Sequence, residues 1–375
     1  VSSRLYNPNY NKNKFDFSQS WNIVDRAIDN KLFPGAQILI MQDSEILAHE
    51  VFGKHTFDNN ASNIDQETIF DVASLTKVLC TTPIIMKLIN QKKISLNHKV
   101  KQYFPEFVDE GRGQVTIRHL LTHSSGLKPF EEYYKKGFSR EDILFDILNN
   151  QKLEFKPGEN VLYSDLGMLL LTAIIEKISG LRLDDLAHKY IYRPFNMSFT
   201  TFNPIKKKIN NIAPTEYDSL FRNRLLIGEV HDENAFIFDG VAGHAGLFSN
   251  AYDIGKYCQV MLNKGTWLGH RYFKENLINE FVQRQTIPIQ SDRAIGWDTP
   301  STGNKSSAGD YISRNSYGHL GFTGTSMWVD PENNLVIIVL TNRVFPTRDK
   351  KDVNKRMYTF RRTFHQEISK TILGI

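Results

Sequence analysis

The 375-residue chain is poor in cysteine, with only Cys80 and Cys258. Two cysteines exclude a framework of several disulfide bonds. Both lie in apolar stretches with helical spacing, where cysteine is usually a buried free thiol. We therefore predict two unpaired thiols, which leave the redox compartment open.

Long apolar runs are also missing, because no stretch approaches the length of a membrane-spanning helix. Residues 1–17 are polar and rich in asparagine. We therefore expect no membrane span. Two locations remain open. The protein is either exported from a bacterial cytoplasm, with an export signal that was removed before this numbering begins, or it stays in the cytoplasm.

An excess of one charge is lacking as well, since 46 lysines and arginines face 41 aspartates and glutamates, a net charge of +5. The densest basic runs, residues 206–208 and 348–351, are not interleaved with aromatic residues as in a nucleic-acid groove. We expect no nucleic-acid partner. The 41% of apolar residues is typical of a folded globular protein.

The most informative stretch that is present is a Ser-x-x-Lys tetrad from Ser74 to Lys77, which opens an apolar helical run. Residues three apart on a helix are neighbours, so Lys77 can reach the Ser74 hydroxyl. Free N–H groups at a helix start also suit a developing oxyanion. A second tetrad, residues 125–128, precedes Pro129 in a predicted turn, where the spacing gives no facing geometry. The first tetrad predicts a serine nucleophile.

Apolar periodicity predicts strands near both chain ends and helices between them. The strand-like runs are residues 36–41, 46–52, 325–329 and 334–341, and the helical runs are residues 18–33, 74–91, 116–122, 140–149, 166–178 and 354–372. This order predicts an α+β fold, with one antiparallel sheet built from both chain ends and flanked by the terminal helices. A helical lobe is inserted into it, and Ser74 lies on the seam between the lobes.

Two later stretches carry further candidates for that seam. Tyr163 and Asp165 precede a helix, and a phenol beside an ammonium can move protons. His319 and Gly321 lie just before a predicted strand, where glycine lets a ligand come close. From these stretches alone, a loop-anchoring tyrosine and a structural histidine remain open.

Taken in order, Ser-x-x-Lys, Tyr-x-Asp and His-x-Gly resemble the motifs of the serine β-lactamase and penicillin-binding-protein superfamily. The resemblance covers nearly the whole chain and points to the class C-like branch of esterases, D-aminopeptidases and cell-wall hydrolases. Residues 116–127, 157–158, 242–249 and 340–344 are similar to the same branch. Residues 228–235 resemble a subgroup that includes exo-acting N-acetylmuramoyl-L-alanine amidases.

The resemblance implies a β-lactamase/transpeptidase-like fold and a role for each matching residue. We expect a single catalytic unit over residues 1–375, with an α/β lobe of about 1–70 and 305–375 and a mainly helical lobe of about 71–304. Ser74 would form an acyl-enzyme that water hydrolyses, and the N–H groups of Ser74 and Phe322 would form the oxyanion hole.

Two departures from the superfamily pattern refine these roles. Asp165 stands where many relatives have asparagine and favours the charged form of Lys77, so we expect Tyr163 rather than Lys77 to be the general base. His319 would face the substrate where many relatives have lysine, and Leu320 replaces a hydroxyl residue. We therefore expect weak or no β-lactamase activity.

Three further residues are candidates for the walls of the substrate cleft. His231 and His244 would shape its rim through hydrogen bonds that fix loops. A metal site that combines them with Asp232 is the alternative, but no tight pair such as His-x-x-x-His is present, so we expect no metal and no cofactor. Trp297 lines the cleft or belongs to the core.

These expectations describe a serine hydrolase that acts on an amide or ester bond, with a muropeptide amidase as the first interpretation. A carboxylesterase, or a DD-peptidase with weak β-lactamase activity, fits the same motifs. A binding or sensor module without turnover is the alternative of another class, although it has no physical need for Ser74, Lys77 and Tyr163 together. Cell-wall chemistry favours a location outside the cytoplasm, the polar start suggests a domain boundary, and the oligomeric state stays open.

Overall fold

The two ends of the chain meet in one five-stranded sheet in the computed structural model, which describes residues 14–289, 291–303 and 306–375. All four strand pairings are antiparallel. The strands stand in the order Tyr317–Leu320, Ser326–Asp330, Leu335–Thr341, Gly35–Gln42 and Glu45–Gly53. The predicted α+β class and the sheet built from both chain ends are confirmed. The predicted domain boundary at the polar start falls within residues 1–13, outside the described residues.

The two central strands are buried on both faces, because helices cover each side of the sheet. Every residue of Leu335–Thr341 is buried. One face packs on the terminal helices, Ser18–Asp29 and Val353–Leu373. The other face packs on the helix Ala251–Leu262 and joins the main core. This two-sided burial explains why the last strand reads as one continuous apolar run rather than an alternating pattern.

Short strands, many helices and the loops between them make up the rest of the described chain. The shorter strands are Phe70–Asp71, Thr201–Phe202, Leu247–Ser249, Tyr217–Asp218, Arg224–Leu225, Thr266–Trp267 and His270–Arg271. The remaining α-helices are Thr82–Asn90, Ile117–Leu121, Tyr133–Lys136, Arg140–Asn149, Asp165–Ser179, Leu183–Ala187, Glu233–Ile237 and Glu275–Val282. Tighter turns occur at Val100–Gln102, Asp109–Gln114 and Pro204–Lys207. In the described ranges no helix combines the length and the apolar character that crossing a membrane requires.

The helix that follows Ser74 departs from the predicted uniform α-helix. Its first part, Lys77–Thr81, is a π-helix, and the α-helix Thr82–Asn90 follows. Pro83 lies at the junction and has no N–H to donate to the preceding turn. A π-helical turn of this kind is common at functional sites because it re-aims the side chains beside it.

One strand of the sheet was missed from sequence, the edge strand Tyr317–Leu320. Glycine is a weak strand former, and Gly318 hides the pattern. The structure requires glycine there, since a β-carbon at Gly318 would lie 2.6 Å from the Trp328 ring on the neighbouring strand. Tertiary packing therefore overrides local propensity at this edge.

Packing of the helix Ala251–Leu262 on the sheet predicts that Gly255→Ala destabilises the fold. A β-carbon there would overlap the buried Leu39 side chain and lie 3.0 Å from Met41 Sδ. Overpacking costs about 1–3 kcal/mol, and replacing a helical glycine returns about 1 kcal/mol. We expect urea unfolding to show a net loss of about 1 kcal/mol in the free energy of unfolding.

The matched control is Gly167→Ala, also in a buried helix. Its nearest neighbour would be Leu120 Cδ2 at 3.5 Å, an ordinary contact. This substitution should raise the free energy of unfolding by up to about 1 kcal/mol. Equal effects of the two substitutions would contradict the packing argument.

Candidate active site

Ser74 lies in a sharp turn between the short strand Phe70–Asp71 and the π-helix. Ala73 adopts a left-handed conformation with φ of 48°, which is uncommon for a residue with a side chain. The turn is held because the Ala73 N–H donates to Asp71 Oδ1 at 2.8 Å and the Thr76 hydroxyl donates to the Ala73 carbonyl at 2.6 Å. Local strain of this kind is typical of functional sites.

Lys77 lies beneath Ser74 with only 1% of its surface exposed. Its ammonium donates to Ser74 Oγ at 2.9 Å and to the His244 carbonyl at 3.1 Å, and it forms an ion pair with Asp165 Oδ1 at 2.7 Å. Two hydrogen bonds and one ion pair therefore surround the buried ammonium. Burial opposes the charge, but Asp165 and then Tyr163 outweigh it and raise the pKa of Lys77. Lys77 is therefore a cation in the resting site.

Tyr163 contacts the same ammonium, since Lys77 Nζ lies 4.8 Å from the centroid of its ring. The ring also packs 4.4 Å from the His123 ring and 6.0 Å from the His319 ring. Burial raises the pKa of Tyr163, and Lys77 and Ser74 oppose this shift only in part. The resting side chain is therefore a neutral phenol.

His123 and the second Ser-x-x-Lys tetrad hold the tyrosine loop from behind. The Ser164 N–H donates to His123 Nδ1 at 3.0 Å, and the Ser164 hydroxyl donates to the Lys128 carbonyl at 2.6 Å. Burial lowers the pKa of His123 well below its usual value, so this imidazole is neutral. In the sequence, residues 116–127 carry only a family resemblance, and no local pattern indicates that His123 positions the tyrosine loop.

His319 lies on the edge strand with 2% of its surface exposed. Its Nδ1 lies 2.8 Å from the Leu320 carbonyl, which can only accept, so Nδ1 carries the proton. Burial lowers the pKa of His319, and Nε2 has no hydrogen-bond partner among the described residues. His319 therefore presents a neutral imidazole with a lone pair on Nε2 at the position where the superfamily motif often has a lysine.

Two backbone N–H groups near the serine are free to bind an oxyanion. In the described part of the chain, neither the Ser74 N–H nor the Phe322 N–H donates to another group. Gly321 brings the second amide close, because a β-carbon there would lie 2.7 Å from the Val72 carbonyl oxygen. Gly324, with φ of 95°, closes the turn that follows.

These groups face a cleft of about 490 Å³. Its lining includes Ser74, Tyr163, Asp165 and His319 from the predicted site. Gly321, Phe322, His231 and His244 line it as well, whereas Lys77 lies beneath the surface in contact with Ser74. The structure thus brings nine of the ten predicted site residues together.

The two rim histidines each pair with a carboxylate. His231 Nε2 lies 2.7 Å from Glu216 Oε2, and His244 Nε2 lies 2.8 Å from Asp232 Oδ1. His244 and the other donors to Asp232 outweigh its burial and hold its pKa well below the usual range. Among the described residues, no three histidine, cysteine, aspartate or glutamate side chains come together as metal ligands would.

Trp297 is the exception and does not line the cleft. It lies in the core with 1% of its surface exposed, stacked on Tyr257 at 6.3 Å and edge-on to Tyr317 at 5.1 Å. Gly296, with φ of 83°, turns the chain against Thr82 and directs the indole inward. Of the two positions that the sequence left open, the cleft and the core, Trp297 occupies the core.

Comparison with known proteins agrees with this geometry. A family model described as Beta-lactamase matches residues 22–358. The N-acetylmuramyl-L-alanine amidase of Bacillus subtilis (strain 168) is 34% identical over 85% of this chain and 80% of its own length. A Salmonella agona (strain SL483) protein, provisionally named a D-alanyl-D-alanine carboxypeptidase, is 30% identical over 91% of this chain and 87% of its own. The octameric penicillin-binding protein homologue from Pyrococcus abyssi has a TM-score of 0.70 at 22% identity, over 92% of this chain and 76% of that one.

The ion pair of Lys77 predicts a pH-dependent stability for Asp165→Asn. Without the carboxylate the buried ammonium loses its counter-charge, and we expect the free energy of unfolding at pH 7 to fall by about 2 kcal/mol. The raised pKa of Lys77 stabilises the wild type below the unfolded pKa of lysine, and this contribution is lost as pH rises through the folded pKa. We therefore expect the difference in the free energy of unfolding between the wild type and Asp165→Asn to shrink at alkaline pH. Urea unfolding from pH 7 upward measures this difference.

Asp185→Asn provides the control, since Asp185 is an exposed aspartate in the first turn of another helix. It should change the free energy of unfolding by less than about 0.5 kcal/mol at every pH. If the difference in the free energy of unfolding between the wild type and Asp165→Asn does not vary with pH, the ion-pair argument is contradicted.

Proposed function

The chain belongs to the β-lactamase family of serine hydrolases, and we propose from this premise that it is a cell-wall amidase. It cleaves the amide between the lactyl group of N-acetylmuramic acid and L-alanine in muropeptides, through an acyl-enzyme on Ser74. The observation that carries the proposal is the Ser74 hydroxyl, 2.9 Å from the buried Lys77 ammonium at the edge of a cleft with two free backbone N–H groups. The 34% identity with the Bacillus subtilis amidase supports the substrate.

Ser74 loses its proton to Tyr163 rather than to Lys77 in this reaction. Asp165 and Tyr163 raise the pKa of Lys77 against its burial, so Lys77 is protonated and has no lone pair to offer. The neutral phenol accepts the serine proton on its oxygen while its own proton passes to the leaving nitrogen. The Lys77 cation stabilises the negative charge that develops on both oxygens during the transfer.

The carbonyl oxygen becomes an oxyanion in the tetrahedral intermediate. The N–H groups of Ser74 and Phe322 bind it there, and each such donor contributes about 3–4 kcal/mol to transition-state binding. Collapse of the intermediate breaks the C–N bond and releases the peptide with the proton from Tyr163. Water then attacks the lactyl ester by the same relay in reverse and regenerates Ser74.

A D-alanyl-D-alanine carboxypeptidase is the second candidate, favoured by the Salmonella relative. That reaction needs a subsite for a terminal carboxylate. On the edge strand, His319 is neutral and Leu320 is apolar, so this strand offers no fixed cation beside the nucleophile. The same feature supports an amide substrate without a carboxylate at that position. The muropeptide substrate also supports a location outside the cytoplasm.

Ser74→Ala should abolish covalent labelling by a fluorophosphonate probe, because the probe reacts with an activated serine. Ser125→Ala is the matched control: it removes the serine of the second tetrad, whose hydroxyl only accepts a bond from the Leu127 N–H. Labelling read by gel fluorescence should persist in that variant. Labelling that survives Ser74→Ala, or that is absent from the folded wild type, would refute the serine mechanism.

Mass spectrometry of products from N-acetylmuramoyl-peptides tests the substrate. We expect free peptide and N-acetylmuramic acid from the wild type, and neither product from Ser74→Ala. Two muropeptide analogues extend the test: one has an ester and the other an N-methylated amide in place of the lactyl amide. Comparing their cleavage with that of the natural muropeptide shows how far the rate depends on the bond that is cleaved rather than on substrate binding. Release of terminal D-alanine instead of peptide would overturn the amidase in favour of a carboxypeptidase.

A further inference from the structure

The peptide group between Gly321 and Phe322 is held by an arginine from the far end of the chain. Arg361 Nη2 donates to the Gly321 carbonyl at 2.7 Å and to the Thr325 carbonyl at 2.8 Å. Arg361 lies on the C-terminal helix Val353–Leu373 and is 9% exposed. The same peptide group carries the free Phe322 N–H of the oxyanion hole.

Binding of this carbonyl fixes the direction of the N–H. A peptide group is planar, with the C=O and the N–H on opposite sides, so a bond to the Gly321 oxygen sets where the Phe322 N–H points. The second hydrogen bond joins the same guanidinium to the carbonyl of Thr325, the residue that directly precedes the strand Ser326–Asp330. The Gly321 N–H also donates to the Thr325 carbonyl at 2.8 Å, so the turn is closed from both sides.

The guanidinium also brings charge to the proposed oxyanion hole, because no carboxylate of the described residues lies within ion-pair distance of it. In the part of the chain that the structure describes, Arg361 forms no ion pair, and its buried Nε has no hydrogen-bond partner. Arg343 is buried nearby and donates from Nε to the Phe322 carbonyl at 2.5 Å, with its guanidinium 4.5 Å from the Phe322 ring centroid. It too has no carboxylate within ion-pair distance among these residues. Burial lowers the pKa of Arg361 to about 9 and that of Arg343 to about 10.

Unbalanced buried cations are costly, so their presence at one peptide group calls for an explanation. Both arginines line the catalytic cleft. A further negative charge develops in that cleft when the substrate carbonyl becomes an oxyanion. A cation bound to the carbonyl end of the donor peptide also polarises its N–H and strengthens the bond to that oxyanion.

We infer that Arg361 is a positioning residue for the oxyanion hole: it orients and polarises the Gly321–Phe322 peptide and supplies, with Arg343, the positive field that the oxyanion neutralises. This role rests on the proposed acyl-enzyme at Ser74. It acts on the transition state and not on the ground state, since the carbonyl is neutral when the substrate binds. It therefore changes kcat and leaves KM nearly unchanged.

The test compares Arg361→Met, Arg361→Lys and the control Arg362→Met. Arg362 is the next residue on the helix and pairs with Asp310, away from the cleft. Three quantities are measured: kcat and KM for p-nitrophenyl acetate, the inhibition constant of phenylboronic acid, and the melting temperature. Phenylboronic acid forms a tetrahedral adduct with the serine and so mimics the charged intermediate.

We expect Arg361→Met to lower kcat by about 10- to 100-fold, within the range seen when an oxyanion donor is impaired. Boronate affinity should fall by a similar factor, whereas KM should change less than about 3-fold, as loss of a transition-state interaction requires. Arg361→Lys keeps a cation but not the planar fork, so its kcat and boronate affinity should lie between those of the wild type and Arg361→Met. Arg362→Met should match the wild type.

The other outcomes contradict either the role of Arg361 or the proposed function. If Arg361→Met matches Arg362→Met in kcat and boronate affinity, the role of Arg361 is wrong. If the melting temperature falls while kcat and boronate affinity per folded molecule stay constant, Arg361 is only structural. If Arg361→Met does not fold, Arg361→Lys decides, and wild-type boronate affinity in that variant refutes the role. A wild type without Ser74-dependent hydrolysis or boronate binding overturns the proposed function and this role together.

Discussion

The buried ammonium of Lys77 is the interaction on which the site depends. Its two hydrogen-bond acceptors and its ion-pair partner come from three separate parts of the chain: the Ser74 turn, the His244 loop, and the start of the helix Asp165–Ser179. A charge that is 99% buried cannot be left without partners, because an unpaired buried charge costs several kcal/mol. The need to satisfy Lys77 therefore fixes the positions of all three segments relative to one another.

The charged and neutral groups around the cleft suit different parts of the proposed reaction. Lys77 is paired with Asp165 and cannot act as a base, while Tyr163 and His319 are neutral. Arg343 and Arg361 are buried cations without a carboxylate within ion-pair distance among the described residues, and they bind the turn that carries the proposed oxyanion donor. The neutral groups suit proton transfer, and the unpaired cations suit a charge that exists only during the reaction.

Sequence patterns predicted much of this, and their failures have physical causes. The helix Arg140–Asn149 has the bounds that its apolar spacing predicts, and the helix Asp165–Ser179 differs by a single residue at each end. The edge strand Tyr317–Leu320 was missed because its glycine is required by a neighbouring indole, which no local rule reveals. The sequence around Trp297 was equally compatible with a position in the cleft and a position in the core. Only the structure shows that it stacks on Tyr257 in the core. The π-helical turn after Ser74 also has no signal beyond Pro83.

The sequence by itself determined the candidate nucleophile, its neighbouring lysine, the order of the motifs and the sheet built from both chain ends, because these follow from spacing along the chain. Only the tertiary structure decided the protonation of Lys77 and Tyr163, since each depends on burial and on groups distant in sequence. It also decided that Arg361, almost three hundred residues after Ser74, binds the peptide group that we propose for the oxyanion hole. Hydrogen bonds and charge act over a few ångströms of space, and the distance between residues along the chain does not report that separation.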